Sequence, residues 1–256
     1  MNNNSIKFSS AYLEALAERQ FKDYKKKNPG SYFAENINNL TIEDAYVVQK
    51  EFSSLRCLNG DNIVGYKVGC IGPVVIEQFG MAGPVYGRIF EKEIYISGSK
   101  IFYKNFFNLA IEGEMAVIIG ENMEISKAFP VIELHNFIFQ GKSKSITELI
   151  DNNAINAGAV LSDKDLQKPI NDFSNSKNLS VKINDKIIDS GDLWAMSGGA
   201  EEAVIWLQKK LNHHGFSLEP GNIVLTGTPL SLHNIKLGDT ISILIDNVEF
   251  VTCSIV

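Results

Sequence analysis

The sequence predicts an α+β fold, with a helical N-terminal region over residues 1–60 and a strand-rich body over 61–256. Three observations carry this prediction. Two segments near the start, residues 10–27 and the stretch from Thr41 to Asn59-Gly60, repeat apolar side chains at helical spacing. From Ile63 the chain changes to short β-type runs separated by Gly, Asn, Asp and Pro. One long helical pattern, from about Gly199 to His214, interrupts those runs. Helices first and strands afterwards fit α+β better than a parallel βαβ sheet.

In chain order, the first helix carries Tyr12, Leu13, Leu16 and Ala17 on one face, with Ser9 or Ser10 as N-cap. Its end is marked by Lys25-Lys26-Lys27, where cations suit the helix dipole, before Asn28-Pro29-Gly30. The second helix opens on Thr41 with Asp44 placed for a capping box, and turns Ala45, Val48, Phe52 and Leu55 inward. Strands are expected at 63–69, 94–96, 109–119, 131–138, 156–161, 179–184, 186–190, 222–228, 240–245 and 248–255. Val181 to Asp189 reads as a hairpin around Asn184-Asp185. Residues 162–178 form a polar, loop-like connection. The long helix has Ser197 as its expected N-cap, Glu201 and Glu202 in the first turn, basic residues in the last, and Gly215 as the C′ residue.

Composition narrows the function classes. A length of 256 residues with 45% hydrophobic content allows one large domain with a sizeable core. A formal charge of −6 argues against a nucleic-acid partner, which needs clustered Lys and Arg. Cys57, Cys70 and Cys253 lack Cys-x-x-Cys spacing and fit reduced thiols rather than a disulfide or zinc scaffold. The first residues hold no apolar leader, and no run approaches about 18 apolar residues, so the expectation is a cytoplasmic protein without a membrane partner.

The most informative stretch is Leu109-Ala-Ile-Glu112-Gly-Glu114-Met-Ala-Val-Ile-Ile119, two acids inside a strongly apolar strand. Side chains two apart on a strand share a face, their Cα atoms roughly 6–7 Å apart. Two ionised carboxylates on a buried face cost several kcal/mol per ion, as an order of magnitude, unless a cation compensates. Glu133, in Pro130-Val-Ile-Glu133-Leu-His-Asn-Phe137, adds a third acid in a second apolar run. Either the three acids pair with basic residues or line a wet face, or they form an oxygen site for Mg²⁺ or Mn²⁺. No Lys or Arg lies between Lys104 and Lys127 to serve as a local partner.

Other segments offer complementary chemistry. Gly65-Tyr-Lys67-Val-Gly69 sets a lysine in a β-type run between glycines, where it is either an edge solvator or a placed cation suited to proton transfer. Leu225-Thr226-Gly227-Thr228-Pro229 ends a strand with hydroxyl and N–H donors that either bind a carboxylate or merely close a turn. Ser197-Gly198-Gly199 is either an anion site at a helix N-terminus or a plain cap. His135 lies two residues from Glu133 and shares its expected face; His213 and His214 read as a helix C-terminal pair. No serine-hydrolase elbow, P-loop or His-Glu-x-x-His is present.

In order along the chain, Gly65-Tyr-Lys67-Val-Gly69, Pro84-Val-Tyr86-Gly87, Ile111-Glu112-Gly-Glu114, Glu133, Asn153-Ala-Ile-Asn-Ala-Gly158 and Leu225-Thr-Gly-Thr228 resemble the fumarylacetoacetate hydrolase superfamily. Within it the chain most resembles the 2-oxopent-4-enoate hydratase and 4-oxalocrotonate decarboxylase branch, over roughly residues 41–255. The resemblance implies a mixed β-sheet rolled into a sandwich-like barrel, with a divalent cation (Mg²⁺ or Mn²⁺) held by Glu112, Glu114 and Glu133. It implies Lys67 as the proton-transfer residue, and Tyr86, Asn153, Ser197, Thr226, Gly227 and Thr228 in substrate binding. The implied reaction is hydration of a 2-hydroxy-2,4-dienoate, a small 2-oxo acid in its dienol form, through a metal-stabilised enolate. The alternatives are decarboxylation or C–C hydrolysis of a related 2-oxo or β-dicarbonyl acid, or an inactive metal-binding member. A homodimer or larger homo-oligomer is also implied. The chain departs from the hydratase pattern at Val85, where an acid is expected, and at Asn152-Asn153, where Asp-Asn is expected.

Overall fold

The computed structural model describes residues 5–27, 40–72, 83–136, 145–173 and 177–256. Helix α1 spans Ser10–Lys26, capped by the Ser9 side chain accepting from the Tyr12 N–H and closed by Lys27 in the left-handed region. Helix α2 spans Ile42–Leu58, with the Thr41/Asp44 capping box formed in both directions. Leu13, Leu16 and Ala17 of α1 pack on Val48 and Phe52 of α2, giving the helical region a core of its own. The Asn28-Pro29-Gly30 stop lies outside the described residues.

Thirteen strands are described: β1 (Ile63–Gly69), β2 (Val85–Phe90), β3 (Ile94–Ile96), β4 (Ser99–Ile101), β5 (Leu109–Ile119), β6 (Ile125–Asn136), β7 (Asn156–Leu161), β8 (Asn178–Ile183), β9 (Lys186–Asp192), β10 (Ile223–Leu225), β11 (His233–Asn234), β12 (Thr240–Ile245) and β13 (Val248–Ile255). A short helix α3 (Ile146–Asp151) precedes β7, and the long helix α4 (Gly199–His213) precedes β10. One sheet runs β2-β1-β10-β5-β6-β7-β3 with β11 alongside β5; the other runs β4-β13-β12-β8-β9. Both are mixed, since β1 with β10, β3 with β7 and β4 with β13 are parallel pairs and the remaining pairs are antiparallel. The larger sheet curls into a half-barrel.

The expected α+β class and the sandwich-like packing of mixed sheets are therefore what the chain adopts. Ile111, Met115, Val117, Ile132 and Leu134 of the large sheet share one buried cluster with Val181, Ile241, Ile243 and Val251 of the small sheet. Gly113 explains how closely the sheets approach. A Cβ there would stand 2.6 Å from Val181 Cγ2 and 2.8 Å from Ile243 Cδ1. The glycine between the two acids of β5 is thus required by the face opposite the acids.

Several expectations need correction. The strand placed at 131–138 begins earlier, at Ile125; residues 137–138 lie outside the described residues. The strand placed at 222–228 ends at Leu225, because Thr226 and Gly227 turn to bond β5 instead of continuing the ladder. The N-cap of α4 is Gly198 rather than Ser197. Glu202, one turn inside the helix, accepts the Gly198 N–H at 2.7 Å and does the capping.

Candidate active site

Cross-strand register puts the charged residues on one face. Glu112 of β5 stands directly opposite Glu133 of β6. Lys67 pairs with Leu225, and Leu225 with Ala116, so Lys67 faces the same way as Glu112, Glu114, Glu133 and His135. This is the face turned away from the small sheet. It also carries Ile89, Ala116, Phe129, Val131, Ala159 and Leu225 as a separate apolar cluster. The charged group therefore adjoins a dry wall on this face.

The side chains converge. Lys67 Nζ lies 3.4 Å from Glu133 Oε1. Asn156 Nδ2 donates to the same oxygen at 2.7 Å. His135 Nε2 lies 3.0 Å from Glu112 Oε2 and 3.5 Å from Glu133 Oε2. Glu114 Oε1 accepts the Gly227 backbone N–H. Lys67, Glu114, Glu133 and His135 are all buried, while Glu112 is half-buried and marks the open side. The glycines beside Lys67 have local reasons. A Cβ on Gly65 would strike Ile223 O at 1.9 Å, and one on Gly69 would stand 2.8 Å from Lys67 Nζ, so the amine lies along the strand over Gly69.

Electrostatics within the group are unbalanced. Burial would push the Lys67 ammonium down, but Glu133, Glu112 and Glu114 together hold it above the ordinary lysine value. Burial would raise Glu133, yet Lys67, His135 and the Asn156 amide keep it below the ordinary carboxylate value. Glu114 moves the other way: burial first and the Glu133 charge second push it well above its ordinary value. One lysine cannot neutralise three buried or half-buried carboxylates.

The donor set fits a divalent cation. Glu133 Oε2 and His135 Nδ1 are buried and have no hydrogen-bond partner among the described residues. Glu112, Glu133 and His135 each offer one ligand atom, all within 4.8 Å of one another. Glu114 does not join that closest trio; its carboxyl is turned toward the Gly227 N–H.

The remaining candidates are distributed differently. Tyr86 faces away from Lys67, being paired with Val68; its ring stacks on Tyr46 and its hydroxyl lies 2.7 Å from His214 Nδ1. Asn153 bonds both backbone groups of Arg88, accepting its N–H at 2.6 Å and donating to its carbonyl at 2.8 Å. It does so from a left-handed turn, with Asn153, Ala154 and Ile155 all at positive φ. Ser197 is exposed and bonds Glu202. The hydroxyls of Thr226 and Thr228 donate to the β5 carbonyls of Met115 and Gly113, so these segments tie β5 down. Of the proposed substrate-binding residues, only Gly227 touches the acid cluster.

Two members of the cluster were not singled out from the sequence as site residues. His135 carried a signal, its spacing of two from Glu133. Asn156 carried only its place in the Asn153-to-Gly158 segment, and its role depends on β7 lying against β6.

Comparison with known proteins bears on family and fold. Residues 148–256 match the family model described as fumarylacetoacetate (FAA) hydrolase C-terminal; the match begins after Lys67, Glu112, Glu114 and Glu133. A 2-oxo-hept-4-ene-1,7-dioate hydratase of Escherichia coli is 25% identical over 94% of this chain and 97% of its own. A 2-hydroxyhexa-2,4-dienoate hydratase of Comamonas testosteroni is 22% identical over 95% of this chain and 97% of its own. Among solved structures, the 4-oxalocrotonate decarboxylase of Pseudomonas putida G7 complexed with magnesium and adipate superimposes with a TM-score of 0.90 at 18% identity, covering 98% of this chain and all of that one. Motif order, the match of residues 148–256 to the fumarylacetoacetate hydrolase family model and relatives at nearly full length lead to one conclusion: the chain is similar to the fumarylacetoacetate hydrolase family and its hydratases in sequence, and to 4-oxalocrotonate decarboxylase in fold.

Proposed function

We propose that this chain is a divalent-metal-dependent hydratase, a carbon–oxygen lyase that adds water to a 2-hydroxy-2,4-dienoate acid. The observation that carries the reading is the convergence of Lys67 with Glu112, Glu114, Glu133 and His135 on one face of the large sheet. The hydratase names of the curated relatives support the reaction class. Glu112, Glu133 and His135 would hold the cation, with Glu114 joining once it gives up its proton. The bound ion would supply Lewis-acid stabilisation for the oxygens of a 2-oxo acid. Mg²⁺ or Mn²⁺ is our choice of ion, consistent with the magnesium and Mn²⁺ complexes of similarly folded proteins.

Lys67 supplies what the acids cannot. Its ammonium is held charged by its carboxylate neighbours and lies within reach of Glu133, so it can hold a proton at Nζ and offset the charge of an anionic substrate. Asn156 keeps the Glu133 carboxylate oriented toward Lys67. The apolar cluster beside the site excludes water from the hydrocarbon part of the substrate. A cytoplasmic homo-oligomer belongs to the same reading, and the exposed free thiol of Cys57 fits a reducing compartment.

Incubation with 2-hydroxypenta-2,4-dienoate and Mg²⁺ or Mn²⁺ tests this proposal. Loss of the diene absorbance with formation of a 4-hydroxy-2-oxo acid is the expected result. Release of CO₂ from 4-oxalocrotonate without hydration would replace the reading with decarboxylation, and inertness toward both would leave only metal binding.

A further inference from the structure

A second constellation of metal-ligand residues lies away from the acid cluster. Glu43 is in the first turn of α2, and His213 and His214 end α4. His214 Nε2 lies 3.1 Å from Glu43 Oε2, and His213 Nε2 lies 3.8 Å from the same oxygen. One ligand atom from each residue falls within 4.8 Å of the other two. Tetrahedral zinc with bonds of about 2.0–2.2 Å separates its ligand atoms by about 3.3–3.6 Å, close to the two separations of 3.1 and 3.8 Å found here.

We infer that Glu43, His213 and His214 form a binding site for a borderline transition-metal cation such as Zn²⁺, distinct from the carboxylate site. Two imidazoles with one carboxylate select such ions over Mg²⁺ or Ca²⁺. The site leaves a fourth position for water on the side of the exposed His213.

An independent feature supports the assignment. Metal-binding histidines usually have their other ring nitrogen engaged, which fixes the ring and its tautomer. His214 Nδ1 meets the Tyr86 hydroxyl at 2.7 Å, and its ring lies against the stacked Tyr46 and Tyr86 rings, with centroids 4.5 Å and 5.6 Å away. The hydroxyl accepts as readily as it donates, so the proton moves to Nδ1 when Nε2 takes a metal. A bound ion would clamp the start of α2 to the end of α4, elements that meet only through folding.

Zinc titration of chelator-treated protein in the presence of excess Mg²⁺ provides the test, with calorimetry for affinity and elemental analysis for stoichiometry. The wild type should bind one Zn²⁺ per chain that His213→Ala binds at least about a hundredfold more weakly, and Tyr86→Phe about tenfold more weakly. His213 is exposed, so its variant should melt like the wild type without metal and lose only the Zn²⁺-induced rise. Glu43→Gln, on the other helix, should reproduce the loss. Equal Zn²⁺ affinity and stoichiometry in wild type, His213→Ala and Glu43→Gln, or no Zn²⁺ uptake under Mg²⁺, would overturn the inference.

Discussion

Two buried ionic groups in this molecule use similar residues to opposite ends. Beside the helical region, Arg56 donates to Asp61 Oδ2 through Nε and Nη2, at 3.2 and 2.6 Å, and to Glu93 through Nη1 at 3.0 Å. Tyr24 donates to the other Glu93 oxygen, Asn62 and Lys92 donate backbone N–H groups to the other Asp61 oxygen, and Phe90 lies 3.5 Å under the guanidinium. Every oxygen of both acids has a partner. On the acid-bearing face of the large sheet, one lysine meets three acids, and a carboxylate oxygen and an imidazole nitrogen remain buried without hydrogen bonds among the described residues. A closed network holds structure together, whereas an open one of the same sign keeps ligand atoms available for a cation.

The largest expected effect breaks the open group. Lys67→Met keeps side-chain length and removes the charge; it should lower kcat on a dienoate by about 10²–10⁴-fold, the usual weight of a positioned proton-transfer group. The protein should remain folded, as circular dichroism and melting would show. If turnover is unchanged, Lys67 is only a counter-ion. The closed group should respond in stability instead. Arg56→Leu strands Asp61 and Glu93, and should cost about 3–5 kcal/mol in urea unfolding. A much smaller loss would mean that water enters and solvates those acids.

Metal addition compares the two groups directly. A cation bound only to the native state at 100 times its Kd stabilises by about 2.7 kcal/mol. Mg²⁺ or Mn²⁺ should therefore raise the melting temperature of wild type and of Arg56→Leu alike, and should fail to raise that of Glu112→Gln/Glu133→Gln. An equal rise in the double variant would place the ion elsewhere.

What the sequence revealed follows from where its signals are local. Helix α2 announces itself through Thr41 and Asp44, and β5 through eleven residues with almost no polar interruption. The shared face of Glu112 and Glu114 follows from strand periodicity alone. Strand β2 was hidden because Gly87 and Arg88 interrupt its pattern, and Arg88 is buried by contacts with Gln49 and Phe216 from distant segments. Helix α3 carries a Ser145/Glu148 capping box but spans only six residues, too few to show a period. The outward turn of Tyr86 and the choice of Asn156 over Asn153 beside Glu133 depend on which strand lies next to which. That information exists only after the chain has closed.

The smallest effect is the most diagnostic, because it has a sign. A carboxyl whose folded pKa lies above its unfolded value binds its proton more tightly in the native state. Its contribution is complete below the ordinary value of 4.5 and is lost as pH rises from there through the folded value. Glu114 is such a group, so metal-free protein should lose stability with rising pH in that window. Glu93, raised by burial despite Arg56, adds the same sign, whereas Asp44 and Asp61 are depressed and lose their contribution only as pH falls. The difference between wild type and Glu114→Gln therefore isolates the site. In chelator, Glu114→Gln should flatten the slope and be more stable than wild type at neutral pH by about 1–3 kcal/mol, since it removes an acid that must otherwise ionise in a dry place or stay protonated. With saturating Mg²⁺ the order should reverse, because the cation draws the wild-type carboxylate into its ionised form while the amide supplies no charge. Urea midpoints at several pH values, with and without metal, measure both signs. An unchanged order on adding metal would show that Glu114 belongs with the closed networks rather than the open one.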